Sequence, residues 1–398
     1  VDTLIIGSKI DNISIPNDLF PNIKRVISYS NKYKNGKYLV SEHNEVKFLL
    51  NAFCQDENTT IDLTGINVIE NKAFNHCKAK EIINADSVDN IISAAFDNSS
   101  FYNKKVLKNQ CVVIGHYLLK ADETAYRLEI PSNVETAYVN VHLNKVKEVV
   151  VHNLKILECI LDLPQKLIIA KDTPFFSKIS KLKMKGLKYI DVEDGNPFYS
   201  SENGVLFTKN KKYLLKFPPG RTGLYKIPEG VNTIDEKAFA FSNIEKVIMP
   251  STMRNLKTFA FYNSYLKSVD FGSGLERIGN PHQDRGVFSQ CGNLKSISFP
   301  KQIKSIGAYA FCESGLEHVS LNNGLKSIDV EAFSGCHINE IVLPATLDDF
   351  GSGCLFGISK VVIDKRMSHT SGLSQALSTQ HYDNGEKGVQ IVQGTKSI

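Results

Sequence analysis

One short pattern repeats at a fixed spacing through the second half of the chain, and this repetition limits the fold more than any other feature. Six segments carry it, namely PEGVNTI, PSTMRNL, GSGLERI, PKQIKSI, NNGLKSI and PATLDDF, starting at Pro228, Pro250, Gly272, Pro300, Asn322 and Pro344. The starts lie 22, 22, 28, 22 and 22 residues apart. Such a period over six rows predicts a solenoid, because each coil buries its apolar face only by stacking on its neighbours.

The end of each row predicts a β-strand. In LKSISFP, residues 294–300, Ile297 and Phe299 are two residues apart and so share one face of a strand. Short strands that recur once per coil stack in register, so we expect a parallel β-sheet along one wall of the solenoid.

A recurring phenylalanine marks the opposite wall. The repeat phenylalanines are Phe239, Phe261, Phe288, Phe311, Phe333 and Phe356, and Phe53, Phe74 and Phe96 continue the series upstream. We expect segments such as GAYAF and VEAF to form a short helix or a single helical turn that points the phenylalanine into the core. The predicted fold class is an α/β repeat solenoid with a parallel β-sheet on one face and short helical turns on the other.

Three segments interrupt the coils with alternating apolar residues: residues 35–50, 109–120 and 203–220. In the first and third, a polar tip separates two such runs, which is a β-hairpin signal. We therefore predict inserted hairpins that extend the sheet. The expected organisation is degraded coils with hairpins over residues 1–195, regular coils over 196–364 and a cap or linker over 365–398, in one continuous solenoid.

Cysteine and serine share one repeat position, three residues after the phenylalanine. Its members are Cys77, Ser242, Ser264, Cys291, Ser314 and Cys336. The alternation indicates a position that needs a small side chain and tolerates burial. Because these cysteines lie in different coils, we expect them to fill space rather than to form disulfides or act as nucleophiles.

Charge and composition exclude several function classes. The formal net charge of +5 over 398 residues is too small to indicate nucleic-acid binding. No run of 18 apolar residues exists, so no transmembrane segment is expected. The chain lacks the G-x-S-x-G, H-E-x-x-H and P-loop motifs, and its cysteines show no C-x-x-C spacing, so we expect no catalytic residues, cofactor or metal.

These rows resemble the BspA-like leucine-rich repeat family of cell-surface and secreted proteins. The likeness rests on the rows I-P-x-x-[VLI]-x-x-I…A-F-x-x-[CS]-x-[LI]-x-x-[VI]-x-[LF]-P and on the hairpin segment NPFYSSENGVLFTKNKKYLLKFPPG, residues 196–220. It implies leucine-rich-repeat-like coils of about 22 residues in a surface protein that binds host proteins, glycans or other cells without catalysis. The asparagine of commoner leucine-rich repeats is missing: its position holds Thr252, Gly274, Gln302, Gly324 and Thr346. Backbone groups in the turn must therefore be satisfied differently.

Two places are candidates for ligand binding. The first is the insertion in the 28-residue row, where His282, Gln283, Asp284 and Arg285 form a polar loop on a regular scaffold. The second is the outward side of the predicted sheet, which includes Lys246, Asp270, His318 and Glu340. A plain surface loop and an ordinary solvated sheet are the competing interpretations.

The function favoured by these patterns is a non-catalytic, extracellular or cell-surface scaffold for adhesion or recognition. Its expected partner is an extracellular protein or glycan. A passive spacer that holds another domain away from the cell envelope is the alternative, and an enzyme or enzyme accessory is a third. A binding scaffold should carry a patch that bridges several coils, whereas a spacer should carry a featureless face.

Overall fold

The computed structural model describes residues 1–15, 20, 22–53, 56–182, 184–280, 284–367 and 370–378, and the backbone of 390–394. The chain divides into two compact units, Val1–Asp162 and Leu163–Ile398. The expected division at residue 195 stays a prediction. Within the described part of the chain, no helix has the length and apolar character needed to cross a membrane.

The first unit is built from parallel pairs of short strands. These pairs are Thr3–Ile6 with Arg25–Ser28, Thr60–Asp62 with Glu81–Ile83, Arg127–Ile130 with Glu148–Val151, and Val141–His142 with Ile160–Asp162. Strands of two residues form a further ladder of Val68–Ile69 with Asn90–Ile91, and Thr136–Ala137 pairs with a hairpin strand.

The second unit repeats the same plan more regularly, and each coil has three walls. In one coil, Ile244–Ile248 belongs to what we call the strand wall, Asn255–Leu256 to the ladder wall, and residues 257–263 to the turn wall. The strand wall contains the parallel sets Lys166–Ile169 with Tyr189–Val192; Gly223–Lys226, Ile244–Ile248 and Ser268–Asp270; Ser296–Ser298 with His318–Ser320; and Glu340–Leu343, Lys360–Asp364 and Gln390–Gly394. The ladder wall contains Thr233–Ile234 with Asn255–Leu256, then Arg277–Ile278, Ser305–Ile306, Ser327–Ile328 and Asp349–Phe350.

The three predicted hairpins are confirmed. They pair Leu39–His43 with Val46–Asn51, Cys111–Ile114 with Tyr117–Ala121, and Val205–Thr208 with Tyr213–Lys216, the last with Tyr199–Glu202 as a third antiparallel strand. In each hairpin the later strand continues as the first parallel strand of a ladder, through the pairs Phe48–Val68, Tyr117–Thr136 and Tyr213–Thr233. The hairpins therefore extend the ladder walls.

The expected helical turns on the opposite wall are wrong. The amides of the turn wall alternate: Ala238 and Ala240 donate to carbonyls three residues earlier, whereas Lys237, Phe239 and Phe241 donate to the next coil. Three of these five amides thus bond between coils, and the backbone of Lys237 and Phe241 is left-handed, so no helix can propagate. The helices among the described residues are short: Ser100–Asn103 and Leu373–Leu377 are α-helical, and Leu154–Glu158 and Ile179–Lys181 are 3₁₀-helical.

Phenylalanines point into the core of the second unit, as the sequence predicts, and there they form a continuous stack. The stacked rings are Phe217, Phe239, Phe261, Phe288, Phe311 and Phe333, with neighbouring centroids 4.7 to 5.5 Å apart. All six side chains are fully buried. In the first unit, Phe74 and Phe96 stack in the same way at 4.9 Å.

Two of the phenylalanines predicted for this series, Phe356 and Phe53, are wrong by one residue. After Phe333, the position is filled by the buried Leu355, whereas Phe356 is only partly buried. Leu355 lies five residues after the ladder residue Phe350, the same spacing that places Phe333 after Ile328. In the first unit, Ala52 donates to Ala73 and occupies the position, while Phe53 packs in a separate cluster with Ile6 and other residues.

The serine and cysteine column packs as expected for Cys291 and Cys336. The Cys291 thiol donates to the carbonyl of Phe261 and lies 3.4 Å from Ser264 Oγ, and Cys336 repeats this arrangement with Phe311 and Ser314. The expectation is wrong for Cys77, which is disulfide-bonded. The spacing of the cysteines within this column does not exclude a bridge from Cys77 to a cysteine at another position.

Candidate binding cleft beside the 28-residue coil

Side chains that reach back one coil satisfy the turn carbonyls that lack an asparagine ladder. Thr252 Oγ1 donates to the carbonyl of Val231, and Thr346 Oγ1 donates to that of Leu325, both at 2.8 Å. Where this repeat position is a glycine, Gly324, the side-chain amide of Asn322 donates instead, to two carbonyls of the preceding coil at 3.0 Å. In these regular coils, a side chain of the later coil therefore hydrogen-bonds to turn carbonyls of the coil before it.

At the joint between the 28-residue coil and the coil before it, the earlier coil supplies the side-chain donor. Gly274 has no side chain to reach back, and Nη1 of Arg254 donates to the carbonyls of Ser251, Met253 and Gly274 at 2.9, 2.7 and 3.1 Å. A Cβ at residue 274 would lie 2.0 Å from the Ser251 carbonyl oxygen and 2.1 Å from Arg254 Nη1. Glycine is therefore required at this position for the two coils to approach.

The ladder wall is divided at the same joint, and this division opens a cleft. One ladder ends at Asn255–Leu256, and a separate one begins at Arg277–Ile278. Between them lies a cleft of about 350 Å³, a size within the range of small-ligand sites. Its polar lining consists of Arg254, Asn255, Glu276, Arg277, Asn280 and Asp284.

The insertion loop contributes to this cleft through its described end. The Asp284 side chain is mostly buried, and its carboxylate accepts from the backbone N–H and hydroxyl of Thr258 at 3.3 and 3.4 Å. Lys257 Nζ lies 3.4 Å from the same carboxylate. Arg285 is exposed, and its carbonyl accepts from Phe259 N at 3.0 Å. Asp284 therefore anchors the loop, while Arg285 projects to solvent.

Two of the four loop candidates cannot be placed. His282 and Gln283 lie outside the described residues. Their assignment as ligand-binding residues stays a prediction.

The strand-wall candidates are exposed, as the alternation predicts, but they do not form one cluster. Lys246 is in register with Ser268, and Asp270 is in register with Ile248 and accepts from Gly272 N at 2.9 Å. His318 lies in another ladder, and Glu340 lies in a third. Glu340 also pairs with Lys360 of the next coil at 2.8 Å. The strand wall thus presents single polar side chains whose charge is partly compensated between coils.

The thiols of the second unit are poor nucleophiles. Burial raises the pKa of Cys291 and of Cys336 to about 11, and that of Cys312 and of Cys354 to about 12. Since the thiolate is the reactive form, these groups stay protonated near neutral pH. Across the described ranges, no three His, Cys, Asp or Glu side chains lie close enough together to hold a metal ion.

Sequence reasoning located the loop but missed Arg254, Glu276 and Arg277. They occupy positions that the repeat leaves variable, so the pattern alone does not distinguish them. Two sequence features together could have pointed to them. Gly274 stands where the preceding row has Thr252, and its row is six residues longer than the others.

A model of the BspA type leucine-rich repeat region matches the chain in six copies, over residues 47–158, 224–282 and 283–372, more than half of its length. Among solved structures, the pneumococcal vaccine antigen PcpA is 20% identical, with a TM-score of 0.40, 85% of this chain covered and 79% of that one. A leucine-rich cell surface protein from Faecalibacterium prausnitzii is 18% identical, with a TM-score of 0.46 and coverage of 89% and 98%. No curated protein matches the chain.

Proposed function

Because the chain belongs to the BspA type leucine-rich repeat family, we propose that it is a non-catalytic scaffold of the cell surface or extracellular space. It binds an extracellular protein or glycan through the 28-residue coil. The observation that carries this proposal is the cleft at the divided ladder wall, where the pairing of ladder strands is interrupted and polar side chains from two coils face one space.

The cleft supports binding because two of its charged side chains are bound within the protein, whereas a third is available to a ligand. Asp284 is held by Thr258 and Lys257, and Nη1 of Arg254 is held by three carbonyls. Arg277 is exposed, and among the described residues none pairs with its guanidinium. Arg277 and the loop residues 280–285 are therefore the proposed ligand contacts. The strand-wall residues Lys246, Asp270, His318 and Glu340, which are spread over three separate ladders, are the alternative to this site.

An extracellular location is supported by the disulfide of Cys77. Disulfides persist in oxidising compartments and are rare in the cytosol. This observation is independent of the repeat pattern, which by itself does not report the compartment.

The spacer alternative is favoured by one feature of the strand wall. Ion pairs join successive coils between Glu245 and Lys267, Lys295 and Glu317, and Glu340 and Lys360, at 2.8 to 3.0 Å. Each such surface pair contributes at most about 1 kcal/mol. Together, however, they compensate part of the charge of this face within the chain, as expected of a passive wall.

A binding screen distinguishes the two functions. The purified chain is tested against extracellular-matrix proteins and a glycan array, beside a variant in which residues 280–285 are replaced by Gly-Ser. The matched control replaces the exposed hairpin tip, residues 209–212, in the same way. We expect a specific ligand that is lost only in the loop variant. A ligand retained in that variant would move the site to another surface, and no ligand at micromolar concentration would favour the spacer.

A further inference from the structure

Three aromatic side chains lie together on the turn wall next to the 28-residue coil. Tyr262 contacts Phe241 and Phe259 edge-on, with ring centroids 5.5 and 5.2 Å away. Phe241 is 49% exposed, and the other two rings are partly exposed. We call Phe241, Phe259 and Tyr262 the aromatic patch. It lies outside the buried phenylalanine stack and contributes little to the core.

Two members of the patch occupy backbone positions that disfavour aromatic residues. Phe241 has a φ of +59° and Phe259 a φ of +56°. In the next coil, the equivalent positions hold Asn263 and Gly286, which adopt this left-handed conformation more readily. The left-handed backbone itself recurs along the turn wall, for example at Gln290, Tyr309 and Glu313, so it belongs to the repeat. What distinguishes the patch is that aromatic rings occupy two such positions in neighbouring coils and stay at least partly exposed to solvent instead of packing in the core.

The patch is joined to the insertion by close packing. A Cβ added to Gly286 would lie 2.4 Å from Cε1 of Phe259, so the backbone of the 28-residue coil runs directly against that ring. The Phe259 amide also donates to the carbonyl of Arg285. Arg285 and the aromatic patch are therefore held in one local arrangement.

The charges around the patch leave a positive excess. Nζ of Lys237 lies 5.9 Å from the centre of the Phe259 ring. Glu236 is shared between Lys181 at 3.0 Å and Lys237 at 4.0 Å, so one carboxylate faces two cations. On the other side of the patch, the neighbouring carboxylate of Asp284 pairs with Lys257. Arg285 has no ion-pair partner among the described residues.

We infer that the aromatic patch, with Lys237 and Arg285, binds an acidic pyranose sugar. The flat apolar face of the sugar stacks on the exposed rings, and its carboxylate or sulfate pairs with the two cations; Arg285 can bind either group through two parallel hydrogen bonds. Three rings, two of them half-buried, offer far less area than the roughly 800 Å² per partner of a stable protein interface. This inference rests on the proposed function and narrows its ligand class.

Isothermal titration with defined saccharides tests the inference. The probes are 3′-sialyllactose, a chondroitin sulfate tetrasaccharide and neutral lactose. We expect at least one acidic probe to bind the intact chain, and Phe241→Ala or Arg285→Ala to weaken it by about tenfold or more. The controls Leu224→Ala and Lys226→Ala, which change exposed side chains of the strand wall, should leave the affinity unchanged.

A second variant separates binding from folding. Phe241→Asn places the residue of the equivalent position in the next coil at residue 241, so it should keep or raise the melting temperature and still lose the acidic sugar. Equal affinity for lactose, no binding of either acidic probe at millimolar concentration, or full affinity in Phe241→Asn would overturn the inference. If the acidic probes fail while a protein from the screen still requires residues 280–285, the inference fails and the proposed function stands.

Discussion

Arg254 donates a hydrogen bond from Nη1 to the carbonyl oxygen of Gly274 in the following coil, at 3.1 Å, and the same nitrogen contacts two carbonyls of its own coil. Elsewhere in the repeat, the later coil supplies the donor, as Thr252 and Thr346 do. The reversal lets residue 274 be glycine and lets the ladder wall open at this joint. One arginine thus seals the stack and lines the proposed cleft.

Removing this arginine should destabilise the second unit. Arg254→Ala leaves three turn carbonyls without their charged donor, and we expect a loss of about 1 to 2 kcal/mol in the free energy of unfolding. Urea titration followed by circular dichroism measures it. Arg277→Ala, in the same cleft but without a partner among the described residues, should change stability by less than about 0.5 kcal/mol. Equal effects of the two changes would contradict the sealing role.

The end of the phenylalanine stack offers a test of register. Leu355 is fully buried after Phe333 in the stack, and Phe356 is only partly buried. Leu355→Ala should therefore cost about 2 to 5 kcal/mol, whereas Phe356→Ala should cost much less although it removes the larger side chain. Thermal unfolding of the two variants measures the difference. The opposite order would restore the register expected from the sequence.

Gly286 should tolerate no side chain. Its φ is +63°, and an added Cβ would meet the Phe259 ring at 2.4 Å. We expect Gly286→Ala to lower the free energy of unfolding by at least about 1 kcal/mol from backbone strain alone. Gly292→Ala is the matched control, because nothing lies within 4 Å of its added Cβ. A neutral Gly286→Ala would show that the insertion does not press against the patch.

A buried lysine should make the second unit sensitive to pH. Nζ of Lys216 donates to the carbonyls of Ser180 and Lys237 at 2.7 and 3.3 Å. Burial, and secondarily the charge of Lys237, lowers the pKa of Lys216 to about 7 from its usual 10.5. Between these values the unfolded state holds more protons than the folded state, so stability should rise with pH from about 7 to 10.5.

Urea unfolding at pH 7 and pH 9.5 measures this dependence. Lys216→Met removes the titrating group and should flatten the rise, although it also removes two hydrogen bonds. Lys209→Met, an exposed lysine of the same hairpin, should keep the rise. An unchanged pH dependence in Lys216→Met would assign the effect to other groups.

Much of the fold follows from local sequence pattern. The period of 22, the alternation in LKSISFP and the polar hairpin tips each reflect a short-range rule, and the stack, the parallel strands and the hairpins agree with them. The turn wall does not follow, because its amides alternate between their own coil and the next. Propensity within one row cannot report a bond such as that from Phe239 N to the carbonyl of Ala260.

The candidate site is predictable only in part for the same reason. The extra length around Asp284 and Arg285 is visible in one row. The role of Arg254 depends on a missing side chain 20 residues later, and that of Phe241 depends on a left-handed backbone. The disulfide state of Cys77 is also not visible in the repeat pattern, in which cysteine and serine share that position.

The most direct test of the binding coil is hydrogen exchange of the intact chain with and without each ligand found in the screen. We expect new protection at residues 254–263 and 274–286, with little change in strands His318–Ser320 and Glu340–Leu343. Protection on those strands, with none around the 28-residue coil, would contradict it.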